Sequence, residues 1–245
     1  TLTYGEGKIA FNGGYDEAVK AFLADVDFSK VKLCLPNMPD DTVTLNGAIA
    51  LMANVKEKGV DVQAAADAFD LNWRTLKVHK LGFDGSFIDG NLSVNHFSAM
   101  AGEQGSLVVN GTVAADNTLN LSGRMAEFPI ETFLSFVGQE GSGLCSTGFD
   151  VTGTVASPEF GGIVQLREID FMEQNIVEAH GHVAMKDNVL AITNFVANMK
   201  QGQHILNGSV DLTGVEPIVN ASLKTVGVRA EPLIAVAAPE VKLTG

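Results

Sequence analysis

Alternation of apolar and polar residues constrains this chain most, and it is clearest over residues 105–125. Leu107 and Val109 fall on one side of a first predicted strand. After the turn sequence AADN, Leu119 and Leu121 continue this apolar side, and the residues between them are polar. A period of two is typical of strands with one apolar and one polar face, so this segment predicts a half-buried β-hairpin.

The same alternation returns twice further along the chain. Residues 147–158 place Phe149 and Val151 opposite Asp150 and Thr152. Residues 181–195 read GHVAMKDNVLAITNF, in which KDN is typical of a turn between two strands. These segments predict an all-β protein.

Parts of the chain also align with one another at long offset. Residues 91–99 (NLSVNHFSA) match 189–197 (VLAITNFVA), and residues 105–113 (GSLVVNGTV) match 202–210 (GQHILNGSV). A third, shorter match is 41–49 (DTVTLNGAI). The last three segments share an Asn-Gly pair: Asn46-Gly47, Asn110-Gly111 and Asn207-Gly208. Such repetition favours an extended architecture over a closed globule.

We therefore expect one elongated β-repeat segment of a longer protein over residues 1–245, with approximate repeats at 41–125 and 148–225. Helical spacing of apolar residues interrupts the alternation in three places. It predicts short helices near residues 15–26, 60–70 and 129–137.

The clearest of these helices begins at Pro129, a residue that suits a first helical turn. Its apolar stripe is expected to pack onto the apolar face of the sheet and consists of Ile130, Phe133, Leu134 and Val137. The stripe near residues 60–70 consists of Val62, Ala65, Ala66 and Phe69. The stripe near residues 15–26 consists of Val19, Phe22, Leu23 and Val26.

Charge excludes one class of partner. The net charge is −13, and no cluster of Lys and Arg with interleaved aromatic residues is present. A phosphate backbone would be repelled, so we expect no nucleic-acid binding.

Neither metal nor catalytic motifs emerge from the sequence. Cys34 and Cys145 lack zinc-type spacing, and a disulfide between them is neither required nor excluded. Glu178, His180 and His182 would share one face of a strand, but no fourth ligand is in view and a solvated face explains them. Three isolated histidines are expected at the surface or at strand edges: His79, His96 and His204. No nucleophile elbow or phosphate loop is present, so we expect no enzyme, no cofactor and no metal.

Two long segments carry a family resemblance. Residues 148–171 read GFDVTGTVASPEFGGIVQLREIDF, and residues 177–212 read VEAHGHVAMKDNVLAITNFVANMKQGQHILNGSVDL. In their order of strand, Ser-Pro and Asn-Gly motifs they resemble the TamB-type proteins of diderm bacteria, within the wider group of AsmA-like repeat proteins. The resemblance covers most of the chain from about residue 41 onward.

The resemblance implies a sheet curled into a half-pipe with an apolar concave face, in the periplasm of a diderm bacterium. It implies a lipid-binding scaffold that conducts phospholipid between the inner and outer membranes and aids outer-membrane protein assembly. Its partners would be phospholipid acyl chains, an outer-membrane assembly protein and an inner-membrane anchor. The last two would be engaged through parts outside this chain.

Strand parity identifies the residues that would line the groove. Each lies on the apolar side of its own predicted strand: Val109, Leu121, Val151, Val183 and Ile192. Moving an acyl methylene from water onto such a surface contributes about 0.8 kcal/mol, so a groove of modest length would bind a lipid without specific polar contacts. The alternative is a purely structural repeat, such as a stalk or an adhesin segment, whose apolar face is filled by its own side chains.

Overall fold

The computed structural model describes residues 2–4, 6–18, 20–35, 38–66, 69–73, 76–136, 139–171, 174–200, 202–214 and 217–227. Most of the described residues lie in strands and only the six of one helix are helical, which confirms the all-β class and the curled sheet of hairpins.

The elements follow one another in a simple order. The first strands are β1 (Leu2–Tyr4), β2 (Gly7–Asp16), β3 (Ala21–Leu35), β4 (Met38–Lys56), β5 (Gly59–Ala66), β6 (Phe69–Trp73), β7 (Leu76–Ile88) and β8 (Asn91–Ala101). Next come β9 (Gly105–Val113), β10 (Leu119–Pro129) and the helix α1 (Glu131–Phe136). The last strands are β11 (Gly141–Thr154), β12 (Ser157–Phe171), β13 (Gln174–Lys186), β14 (Val189–Met199), β15 (Gln203–Asp211) and β16 (Ile218–Val226).

All the strands belong to one antiparallel sheet whose spatial order follows the chain from β1 to β16. Strands β5 and β6 both lie between β4 and β7 in the sheet. Each of them pairs with a different part of β4 and with a different part of β7. Every substantial contact between elements of the described chain joins neighbouring strands, except that of α1 with β11.

Two of the three predicted helices are wrong. Near residues 60–70, the described residues lie in β5 and at the start of β6. Near residues 15–26, the described residues lie at the end of β2, in a turn and at the start of β3. The segment near residue 62 fits both periods, because Val60, Val62 and Ala64 also alternate with Asp61 and Gln63. Pairing with two neighbouring strands satisfies the backbone here, so tertiary context overrides the helical spacing.

The third helix forms, but α1 is shorter than predicted, and Val137 lies outside the described residues. Ile130, just before α1, is buried at 7% exposure, and Leu134 packs against the same cluster. Phe133 is 44% exposed, and its ring lies 5.8 Å from that of Phe128. The expectation that the whole stripe packs inward is therefore wrong at Phe133.

The repeated Asn-Gly pairs have a structural role at β-bulges. On β14, Phe195 is three residues after Ile192, but their partners on β15, Leu206 and Gly208, are only two residues apart. One residue of β14 is therefore extra. The bulged Asn194 has a φ of 49°, and its backbone amide donates a 2.7 Å hydrogen bond to the side-chain oxygen of Asn207. The extra residue keeps Ile192 and Phe195 on one face of the sheet despite their odd spacing.

The same arrangement recurs on β3 and β4. Lys30 has a φ of 52°, and its amide donates a 2.7 Å hydrogen bond to the side-chain oxygen of Asn46. On β8, the bulge between Val94 and Phe97 also lies opposite an Asn-Gly strand, although there the Asn110 oxygen accepts a bond from Ser122 Oγ. The sequence repeats thus correspond to repeated bulges.

The two ends of the strands differ in burial. At the closed end, which includes the β8–β9 connection, Ala101 is fully buried and Ala99 is 7% exposed. At the open end, which includes the β7–β8 turn, Phe87 and Tyr15 are 50% and 54% exposed. Further register shifts lie toward the closed end, between Met125 and Phe128 on β10 and between Ile176 and Glu178 on β13. Because bulges bend strands, we infer that the sheet curls over its apolar face there.

Candidate functional site: an apolar face across the sheet

Cross-strand pairing places three of the predicted groove residues on one face. Leu121 on β10 is the direct partner of Val151 on β11. Val109 on β9 pairs with Gly123, which is two residues from Leu121 on the same strand. Because directly paired residues and residues two apart share a face, Val109, Leu121 and Val151 lie together.

The other two predicted residues lie on that same face. Val183 on β13 and Ile192 on β14 are direct partners. Val151 pairs with Phe160 on β12, and Gly162, two residues further on, pairs with Val183. All five predicted residues are half-buried, and we call the surface they share the apolar face.

The apolar face is continuous from β2 to β16, because two adjacent ladders of paired residues cross the whole sheet without a charged side chain. The first ladder is Gly13, Ala24, Leu51, Ala64, Phe83, Phe97, Val109, Gly123, Phe149, Gly162, Val183, Ile192, Gly208 and Ala221. The second ladder is Tyr15, Phe22, Ala53, Val62, Gly85, Val94, Gly111, Leu121, Val151, Phe160, Met185, Leu190, Val210 and Val219.

At one point on the first ladder an aromatic ring lies between two glycines. Phe149 lies between Gly123 and Gly162. A Cβ added at Gly123 would come within 2.4 Å of the Phe149 ring. Glycine at that position therefore provides the space that the ring occupies.

No second layer packs over the two ladders within the described part of the chain, where every substantial contact between elements joins neighbouring strands or joins α1 to β11. Large side chains on the apolar face therefore keep much of their surface in water, for example Phe22 at 51% and Phe11 at 65% exposure. A continuous apolar surface of this kind is unusual on a protein that has no partner for it.

At the closed end the apolar face forms a packed cluster. It contains Cys145, Ile169, Ala179 and Ala197, and Ala179 is only 2% exposed. Cys145 is a free thiol, and burial raises its pKa to about 11. A thiol that is protonated and shielded in this way is unreactive at neutral pH.

His204 corrects the expectation of a surface position. It is 6% exposed, and its Nδ1 lies 3.0 Å from Thr225 Oγ1, while Nε2 has no hydrogen-bond partner among the described residues. Burial lowers the pKa of the imidazole. The sequence already indicated this position. His204 and Leu206 are two residues apart on β15, so both side chains lie on its apolar side.

The polar face carries the other candidate side chains. Glu178, His180 and His182 lie there exposed, and Glu178 Oε1 accepts a 3.0 Å hydrogen bond from Asn198 Nδ2. Within the described ranges, no group of three or more His, Cys, Asp or Glu side chains is arranged to hold a metal ion.

Depressions on the polar face lie where glycines leave the space of a side chain empty. One of about 570 Å³ is lined partly by Gly148, Gly161 and Ile163, and another of about 350 Å³ shares Gly148 and Asp150 with it. A Cβ at Gly148 would meet nothing within 4 Å. These hollows lie opposite the apolar face and contribute nothing to it.

The only helix in the part of the chain described is α1, with six residues, and none there has the length and apolar character needed to cross a bilayer. Comparison of the chain with protein families, curated proteins and solved structures found no match.

Proposed function

We propose that this chain is a lipid-binding scaffold that holds acyl chains against its apolar face and conducts phospholipid between two membranes along the sheet. The observation that carries the proposal is the pair of uninterrupted apolar ladders from β2 to β16. The ladders supply a path whose apolar surface changes little from strand to strand. An acyl chain that moves along the sheet requires such a path, because a strong local binding site would hold it in place.

The energetics favour binding without a specific head-group site. Each acyl methylene transferred from water contributes about 0.8 kcal/mol, so about ten methylenes offset a cost of several kcal/mol for ordering the lipid. Side chains that are half exposed, such as Phe22 and Phe87, gain this energy only when something apolar covers them.

The proposed setting is the periplasm of a diderm bacterium. There the chain would act within a longer protein that reaches an inner-membrane anchor and an outer-membrane assembly partner. This part of the proposal rests on the resemblance of residues 148–171 and 177–212 to TamB-type sequences.

A structural repeat is the second candidate, and the closed end favours it. Residues such as Ala179 and Ala197 are buried there as in an ordinary core. A stalk would need only this packed end, whereas a conduit also needs the open ladders to stay accessible.

Photo-crosslinking separates the two candidates. A photoreactive residue is placed in turn at Val109, Leu121, Val151, Val183 and Ile192, and at Thr152 on the polar face as the outward control. We expect lipid adducts at the five apolar positions and none at Thr152. Organic extraction of the unmodified protein followed by mass spectrometry should recover the same lipids. Absence of lipid from both experiments, or equal crosslinking at Thr152, would refute the proposal.

A further inference from the structure

The polar face of the sheet becomes apolar where it crosses β4. Residues 48–53 read AIALMA, so this part of β4 has apolar side chains on both faces. Leu51 belongs to the first ladder of the apolar face, and its neighbours Ala50 and Met52 therefore lie on the opposite face. A continuous apolar run of this kind is typical of strands that are covered on both faces. The composition of β4 thus indicates that its polar side is also covered.

Neighbouring strands extend this apolar region. Met52 pairs with Leu23 on β3, and Ala50 pairs with Ala65 on β5, which pairs in turn with Gly82 on β7. We call these five residues the β4 patch. They line a shallow hollow of about 520 Å³. Leu23 is 38% exposed, and no element of the described chain makes a substantial contact across the patch.

Carboxylates border the β4 patch on two sides. Asp25 pairs with Ala50 from β3, and Asp84 lies two residues from Gly82 on β7. Neither carboxylate forms an ion pair among the described residues. Lys80, the nearest lysine along β7, already has an interaction of its own. A partner that covers this surface is therefore favoured by basic residues beside its apolar side chains.

The dimensions of the patch fit a single helix. It crosses four strands that are adjacent in the sheet, β3, β4, β5 and β7. At the usual strand spacing this is a width of about 14 Å. A helix with its side chains is about 10–12 Å across, and helices commonly cover the open face of a sheet. The small side chains of Ala50 and Ala65, which are both exposed, allow the close approach that such packing requires.

We propose that the β4 patch docks a basic amphipathic helix of a partner protein. The helix places its apolar side chains over Met52 and the hollow beside it, and its lysines or arginines next to Asp25 and Asp84. The patch and the apolar face lie on opposite sides of the sheet, so this inference holds whether or not the apolar face carries lipid.

The probe is a synthetic peptide of about fourteen residues, or about 21 Å of helix, with leucines on one face and lysines on the other. Its controls are a peptide with glutamate in place of lysine and a peptide with the same composition in scrambled order. Affinity for the whole chain is measured by titration, and the site is mapped by backbone amide shifts. We expect the lysine peptide to shift residues of β3, β4, β5 and β7. Both controls should bind at least about ten-fold more weakly.

Removal of one charge tests the role of the carboxylates. Asp84→Asn should weaken binding of the lysine peptide about three-fold, the size expected for one exposed ion pair. Asp150→Asn removes the same charge from the polar face of β11 and is the matched control, which should leave the affinity unchanged. An equal loss in both variants would show that the peptide responds only to net charge, and would overturn the proposal.

A second pair of variants tests the apolar contact. Met52→Gln keeps the length of the side chain but makes it polar, and should weaken binding about ten-fold. If that variant does not fold, Ala65→Lys replaces it, since Ala65 is exposed. The new lysine fills the hollow and repels the peptide, so binding should be lost, whereas Thr152→Lys, elsewhere on the polar face, should bind as the unmodified chain does.

Three further outcomes would each overturn the proposal. The first is equal affinity for the lysine peptide and either control peptide, and the second is a set of amide shifts confined to the apolar face. The third is protection of Leu23 and Met52 from hydroxyl-radical labelling in the protein alone. Such protection would mean that the patch is covered by the chain itself or by a second copy.

Discussion

The side-chain oxygen of Asn207 accepts a hydrogen bond from the backbone amide of Asn194, the bulged residue of the neighbouring strand, at 2.7 Å. The bond holds Asn194 at a φ of 49°, a conformation that non-glycine residues rarely adopt. It thereby keeps the residues on both sides of the bulge on the apolar face.

Asn207→Ala should therefore destabilise the protein by about 1 kcal/mol, the usual net contribution of one hydrogen bond. Chemical denaturation monitored by circular dichroism measures the change. Asn120→Ala, at an exposed position on the polar face of β10, is the matched control and should have little effect. An equal loss in both variants would show that the bulge does not depend on Asn207.

Phe128, just before α1, and Phe133, within α1, should differ sharply in their contributions to the stability of the fold. Phe128 is 7% exposed, so Phe128→Ala should cost about 3–5 kcal/mol, as is usual for a buried ring. Phe133 is 44% exposed, and Phe133→Ala should cost only about 1 kcal/mol. Thermal or urea unfolding of the two variants compares them directly, and a larger loss at Phe133 would contradict the packing described for α1.

A charge on the second ladder should separate folding from lipid binding. Val151 is half-buried on a face with no covering layer in the described chain, so the carboxylate of Val151→Asp can reach water. We expect the variant to remain folded and soluble but to lose lipid crosslinking, and Leu121→Arg should behave in the same way. Thr152→Asp, on the polar face, should retain both properties. Unfolding of Val151→Asp would favour the filled structural core.

Acid should weaken the protein through His204. Burial lowers the pKa of its imidazole in the folded state, whereas the unfolded chain takes up a proton near pH 6.5. The unfolded state then binds more protons, so stability is fully present above pH 6.5 and falls as the pH drops below it. His204→Gln should remove this part of the dependence as the pH falls below about 6.5. His180→Gln, on the exposed face of β13, is the control for a general effect of losing a histidine.

Local alternation allowed the apolar face to be predicted from the sequence. A strand's parity depends only on neighbouring residues, so the side of Leu121 or Val183 can be read without knowledge of the fold. That the separate strands align into common ladders depends on register, which turns and bulges set over longer distances. The use of the apolar face by lipid stays a prediction.

The missed features depended on contacts between distant residues. The helix predicted near Val62 failed because alanine-rich segments satisfy both periods, and pairing with β4 and β7 decides between them. The Asn-Gly repeat was visible, but its hydrogen bond to a residue 13 positions earlier was not.

The chain-ordered pairing of the strands limits how a protein of this kind can change its length. Removing one strand would reverse the direction of every strand that follows, whereas removing a hairpin leaves all directions and both faces as they were. Length can therefore grow or shrink by duplication or loss of whole hairpins, each worth about 10 Å at the usual strand spacing. The span of such a sheet can be adjusted in fixed increments while every remaining contact is kept.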